Sequence, residues 1–90
     1  MAYPFRWNTW NGEHIAAHGV TPADAEYVVD HPHRAFPRNI GDDKALAQGQ
    51  TAHGRYIQVI YIFSPPGVVF VIHARPLNPS EKRNLRRRRP

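Results

Sequence analysis

Two near-continuous apolar runs, Tyr56 to Phe63 and Val68 to Ala74, dominate the second half of the chain. Both are rich in aromatic and β-branched residues, the composition of strands. Ser64-Pro65-Pro66-Gly67 separates them, a loop of a length that suits a hairpin. The pattern predicts two antiparallel strands at the centre of a sheet. Both faces of each run are apolar, so it also predicts at least partial cover on both sides.

The first half has a different rhythm. Tyr3 to Trp7 alternates weakly and reads as a short strand. Asn8 to His18 reads as a helix, with Asn8 or Asn11 as its cap and Gly19 in the left-handed position at its end. Ile15 and Ala16 supply a thin apolar face, with Trp10 or Trp7 closing the start. Thr21-Pro22-x-Asp24 marks a second helix, and Ala25, Val28 and Val29 form its buried stripe before Pro32 stops it. His31 to Asp43 reads as a loop holding an edge strand at Arg34 to Arg38, with Pro37 excluding a central position. Ala45 to Thr51 reads as a strand and Ala52-His53-Gly54 as a turn. Asn78-Pro79-Ser80-Glu81 then opens a closing helix that runs to about Arg87. The expected fold is a single α+β domain over residues 1–90. It has a small antiparallel sheet, two N-terminal helices and a basic C-terminal helix.

Charge sharpens this picture. Residues 75–90 hold seven of the twelve Lys and Arg residues but one of the seven acids, so the rest of the chain sums to −1. Clustered arginine of this kind points to a polyanion, because neutralising phosphates releases counterions. A solvated basic tail is the plainer reading. Four consecutive arginines, Arg86 to Arg89, repel one another, so residues 87–90 are expected to unwind without a ligand. The chain has no cysteine, which excludes disulfides and thiolate metal sites. It shows no signal-peptide pattern and no membrane-length apolar stretch, so the expected location is the cytoplasm.

Several residues look familiar together. They are Trp7, the run Trp10-Asn11-x-Glu13-His14-Ile15-x-x-His18-Gly19-Val20-Thr21-Pro22, and Ala25-Glu26. In the middle of the chain stands Gly49-Gln50-x-x-x-Gly54-Arg55-Tyr56. Ala74-Arg75-Pro76-Leu77 and Glu81-Lys82-Arg83 close the pattern. This set resembles BrnT-like toxins. The resemblance implies a fold of the RelE and ParE toxin type. It implies an endoribonuclease of a type II toxin–antitoxin pair, needing no metal or other cofactor and using the RNA 2′-hydroxyl as nucleophile. It implies a cognate antitoxin encoded nearby, in a homodimer or a toxin–antitoxin assembly. Two positions depart from relatives: Leu85 stands where many carry Tyr, and Ala17 where many carry Lys.

The candidate catalytic residues are Arg75, His73 and Glu81. Arg75 ends a central strand, and its planar fork suits phosphate; it equally suits an ion pair with a helix acid such as Glu81. Strict alternation puts His73 on the same face as Arg75 and Val71. There it reads as an acid or base, or as a half-buried structural imidazole. Glu81 reads as a general base, as an orienter of Arg75, or as a helix cap. The candidate RNA-binding residues are Arg55, Lys82, Arg83, Arg86 and Arg87, with Arg55 expected to bracket a phosphate opposite Arg75. Tyr56 and Tyr61 offer surfaces for base stacking. His14 and His18 share a helix face at a spacing that can bind zinc, with His31 or His33 as a third ligand after folding. The preferred reading has no metal site. A nucleic-acid-binding module without catalysis is the alternative function.

Overall fold

The computed structural model of the chain describes residues 3–64 and 67–87. Along the chain run β1 (Phe5–Arg6), α1 (Thr9–Ala16), α2 (Pro22–Asp30), β2 (Arg38–Gly41), β3 (Lys44–Gln50), β4 (Tyr56–Ser64), β5 (Val68–Pro76) and α3 (Pro79–Arg87). The architecture is a small α+β fold, with one five-stranded sheet in the order β1-β5-β4-β3-β2 and three helices. Pro65, Pro66 and the tail residues 88–90, which carry part of the expected hairpin loop and of the unwound tail, lie outside the described residues.

Each helix starts on a reciprocal cap, in which two side chains satisfy backbone N–H groups that the helix leaves free. Asn8 and Asn11 form the box of α1, the Asn11 side chain taking the place usually held by Glu. Thr21 and Asp24 form that of α2, with Pro22 at the first helical position. Asn78 and Glu81 form that of α3. Gly19 takes the left-handed conformation (φ +74°) where the chain leaves α1, and α1 itself ends at Ala16, two residues short of the expected bound.

β4 and β5 pair antiparallel, as their composition predicts. The sheet is nevertheless mixed, which corrects the expected antiparallel sheet. β1 precedes the helices and pairs parallel with β5, Phe5 opposite Val69. A two-residue strand bounded by Pro4 and Trp7 gives no local sign of its partner's direction. The edge strand also lies elsewhere than expected. It is Arg38 to Gly41, paired with β3 across a tight turn in which Asp42 and Asp43 both adopt positive φ. Asp tolerates that region better than most residues, so Gly41-Asp42-Asp43 is the hairpin signal in this segment.

One residue decides which way His73 and Arg75 point. β4 and β5 alternate regularly until Tyr61 meets Val71, and the next pair is Ile60 with His73. Ile72 has no partner and forms a β-bulge, which reverses the alternation of everything after it. Val69 and Val71 face the core before the bulge, and Ala74 faces it afterwards. His73 and Arg75 therefore point away from the core, opposite Ile60 and Gln58. This corrects the expectation that Val71 shares their face.

The core lies between one face of the sheet and the first two helices. Ile15, Val20, Ala25, Val28 and Val29 meet Ala47, Ile57, Val59, Tyr61, Val69, Val71 and Ala74. Asn11, fully buried, fastens α1 beside the exposed edge of β5. Its Nδ2 donates to the carbonyls of Arg6 (3.2 Å) and Val71 (3.1 Å). The other face of the sheet carries Leu46, Ile60, Ile62 and Phe70, all half-buried. Among the described residues α1 overlaps its β5 margin and α3 reaches its far end, where Glu81 meets Arg75 and Arg86 lies over Tyr56, so the cover on this side is partial. No described helix is long and apolar enough to cross a membrane.

Candidate active site on the open face of the sheet

α1 straddles the edge of the sheet. Ile15 enters the core, while Trp10 and His14, four residues apart, line the opposite side of the helix, and His18 follows on that side from the turn after it. That side meets the outward residues of β5. Trp10 stacks over Phe70 at 6.2 Å and on His14 at 5.4 Å between ring centroids. His73 then completes a triangle of imidazoles. Its ring centroid lies 5.4 Å from His18 and 5.9 Å from His14, which lie 6.2 Å from each other. Arg75 follows His73 on the same face, about 7 Å along the strand. Helix spacing alone pairs His14 with His18; only the bulge and the docking of α1 bring His73 to them. His31 and His33, the expected third ligands, line a different part of the molecule. Among the described residues no three His, Cys, Asp or Glu side chains are arranged to hold a metal ion.

The surroundings set the protonation of His73. Burial lowers its pKa below the ordinary 6.5, and His18, His14 and Arg75 add to the shift in that order. A neutral imidazole at neutral pH can accept a proton. The sign is testable. In an NMR pH titration His73 should show its midpoint below 6.5, and His18→Gln should move it upward by removing one neighbouring positive charge. An unchanged midpoint would remove His18 from the causes and leave burial, His14 and Arg75.

Arg75 and Glu81 form a two-pronged ion pair, both N···O distances 2.8 Å. Glu81 also accepts from the backbone N–H of Asn78 at 2.9 Å. The Arg75 hydrogen bonds and then the Asn78 bond hold its pKa at about 2. A carboxylate so satisfied is a poor proton acceptor near neutral pH, and of its three sequence readings the cap and the orienter of Arg75 describe what it does. Its bonds keep the guanidinium protonated and fix its plane at the end of β5.

The remaining cations divide. Arg55 does not join Arg75. It lies on the helix side of the sheet, donating to the Gly19 carbonyl (2.9 Å) and approaching Asp24 (3.8 Å). Alternation along β4 explains this: Arg55 shares the face of Ile57, whereas Arg75 pairs with Gln58 on the other. On α3, Arg83 and Arg87 are exposed on one stripe; on the next, Arg86 is exposed and Lys82 half-buried, with the Arg86 guanidinium over the Tyr56 ring at 5.5 Å. Leu85, at the position where the resemblance puts a Tyr, is buried and anchors α3. Tyr61 is buried in the core and offers no stacking surface. No protein-family model, curated protein or solved structure matches the chain.

Proposed function

We propose that the protein is an endoribonuclease that cleaves RNA through the RNA's own 2′-hydroxyl, without a metal, as the toxin of a toxin–antitoxin pair. The observation that carries this reading is the meeting of His73, His14 and His18 beside Arg75 on an open sheet face, next to a cationic helix. Two imidazoles in opposite protonation states are what the reaction requires. Neutral His73 takes the proton from the 2′-hydroxyl. The 2′-oxygen forms a bond to phosphorus as the bond from phosphorus to the 5′-oxygen breaks. His18, the nearer neighbour, gives the leaving oxygen its proton. The products are a 2′,3′-cyclic phosphate and a free 5′-hydroxyl. Arg75, held in plane by Glu81, donates to the phosphate oxygens as negative charge grows on them. Lys82, Arg83, Arg86 and Arg87 hold the flanking backbone.

The toxin role and the antitoxin rest on the sequence resemblance, and the cytoplasm is the compartment they imply. Charge complementarity asks the antitoxin to bring acids to the arginines of β5 and α3. The second reading, a binding module without catalysis, is favoured by Leu85, which puts a buried aliphatic where relatives carry a hydroxyl.

Mixed-sequence RNA incubated with the protein and a chelator should yield fragments ending in 2′,3′-cyclic phosphate. Intact but bound RNA would favour the binding module. The cations of α3 are separable from the chemistry. Replacing Arg86 and Arg87 together by Ala should flatten the plot of log affinity against log salt by about 1.4 units, at roughly 0.7 for each phosphate of a single strand left without its cation. An unchanged slope would mean that these arginines serve solubility alone.

A further inference from the structure

A second concave feature lies between the end of α2, the turn after β3 and α3. It is a cleft of about 480 Å³ lined by Tyr27, His31, His33, Gln50, Tyr56 and Arg86, among others. Its construction begins with Gly49. A Cβ there would stand 3.3 Å from the backbone N of His33 and 3.4 Å from the carbonyl O of His31. Glycine thus lets the segment after α2 lie flat on β3, where the N–H of His33 donates to the Gln48 carbonyl at 2.8 Å. One wall is then a planar stack, Tyr27 on His31 with centroids 4.3 Å apart. The other is Tyr56 under the Arg86 guanidinium. Tyr27 is exposed, so its ring is open to a ligand. His33 has its Nδ1 buried without a hydrogen-bond partner among the described residues.

Aromatic rings on both sides, an amide at the mouth and a guanidinium beside them match one chemical object. It is flat, carries donors and acceptors on its rim, and is attached to an anion. We infer that this cleft binds an unpaired nucleobase of the RNA strand, an inference that rests on the reading of the protein as RNA-directed. Stacking supplies the affinity. The Gln50 amide oxygen, its Nε2 already donating to the Gly54 carbonyl at 3.1 Å, accepts from the base edge, and Arg86 meets the adjoining phosphate. The cleft is also placed for this. Tyr56 lies four residues along β4 from Ile60, the partner of His73, which is about 13 Å. Arg75, opposite Gln58, stands between them. A single extended strand can lie across His73, pass Arg75 and turn a base into the cleft. The site would make cleavage depend on the base a short distance from the scissile bond.

The test uses the whole chain and small probes. Adenosine, guanosine, cytidine and uridine 5′-monophosphates and ribose 5-phosphate are titrated separately into the protein, with binding read from amide NMR shifts. At least one nucleotide should bind tenfold or more tightly than ribose 5-phosphate, with shifts concentrated in residues 31–33 and 49–56. Tyr27→Leu should weaken that nucleotide by about tenfold or more, the scale of removing one base–aromatic stack. Tyr27→Phe, which keeps the ring, should leave it unchanged. Tyr27 is exposed, so neither variant threatens the core. Ribose 5-phosphate binding as tightly as every nucleotide, shifts confined to α3, or no effect of Tyr27→Leu would each overturn the site. The two readings fail separately. Nucleotide binding in the cleft of a protein that leaves RNA intact removes the nuclease and keeps the site. RNA cleavage by a protein that ignores the base does the reverse.

Discussion

If the protein cleaves RNA as proposed, His73→Ala should lower the rate at saturating RNA by about 10²- to 10⁴-fold, the usual contribution of a positioned general base. The expectation follows from geometry before pKa. His73 is the member of the imidazole triangle that projects from the sheet itself, and it sits next to an arginine whose plane is locked. Single-turnover cleavage on variants verified by circular dichroism measures the effect. The neighbouring substitutions should separate into different classes. Arg75→Ala should lower the same rate by about 10²-fold, the scale for one preorganised donor. Arg75→Lys should recover only part of that, since an ammonium cannot reproduce the fork. Glu81→Gln leaves the guanidinium in place but loosens it, and its effect should be smaller than that of Arg75→Ala. A His73→Ala variant that cleaves at the parent rate removes the imidazole cluster from the chemistry. A Glu81→Gln variant as slow as His73→Ala would restore Glu81 as the base.

Leu85→Ala costs about 2–5 kcal/mol of folding stability, the range for truncating a buried leucine. Such a cost is a large part of the total for a domain of this size, at roughly 0.05–0.15 kcal/mol per residue. Leu85 is the one buried residue of α3. The rest of that helix is mostly charged or polar, so little else holds it to the body beyond the Arg75–Glu81 pair and the Arg86 guanidinium over Tyr56. Urea unfolding of the variant should show a midpoint well below that of the parent. Arg83→Ala, on the exposed stripe, should stay within about 0.5 kcal/mol. Equal midpoints for Leu85→Ala and the parent would show α3 to be fastened by its ion pair and the Arg86 contact alone.

The local grammar of the chain is legible in its residues. Thr21-Pro22-x-Asp24 and Asn78-Pro79-x-Glu81 announce their helices because a cap is made of residues adjacent in sequence. Tyr56 to Phe63 and Val68 to Ala74 announce a hairpin because β-branched density and a short proline-glycine loop are local too. The site is legible only in pieces. His73, Arg75 and Glu81 stand out by their chemistry, and the Arg75–Glu81 pair can be drawn because both flank one strand-to-helix junction. The gathering of His14 and His18 around His73 cannot be drawn from spacing. It depends on Asn11 reaching the Val71 carbonyl, sixty residues away in sequence. Asn11 is fully buried, and its sequence context suggests a cap and nothing more. The expectation for Arg55 fails for a related reason. Closeness along neighbouring strands is not closeness in space, because adjacent positions on a strand face opposite ways.

Ile72 gives the hairpin two possible parities. Deleting it would join Val71 directly to His73, and plain alternation would still send His73 and Arg75 outward and Ala74 inward. Drawing it into the ladder would do the opposite: the imidazole and the guanidinium would turn toward the helices and Ala74 toward water. The second parity asks a permanently charged group to enter an apolar layer, a cost that no extra ladder bond offsets. Arg75 thus guards the register of its own strand. Neutralising it would remove that penalty alone; the burial of Val71 and Ala74 and the hydrogen bond from Asn11 to the Val71 carbonyl would still hold the bulged setting.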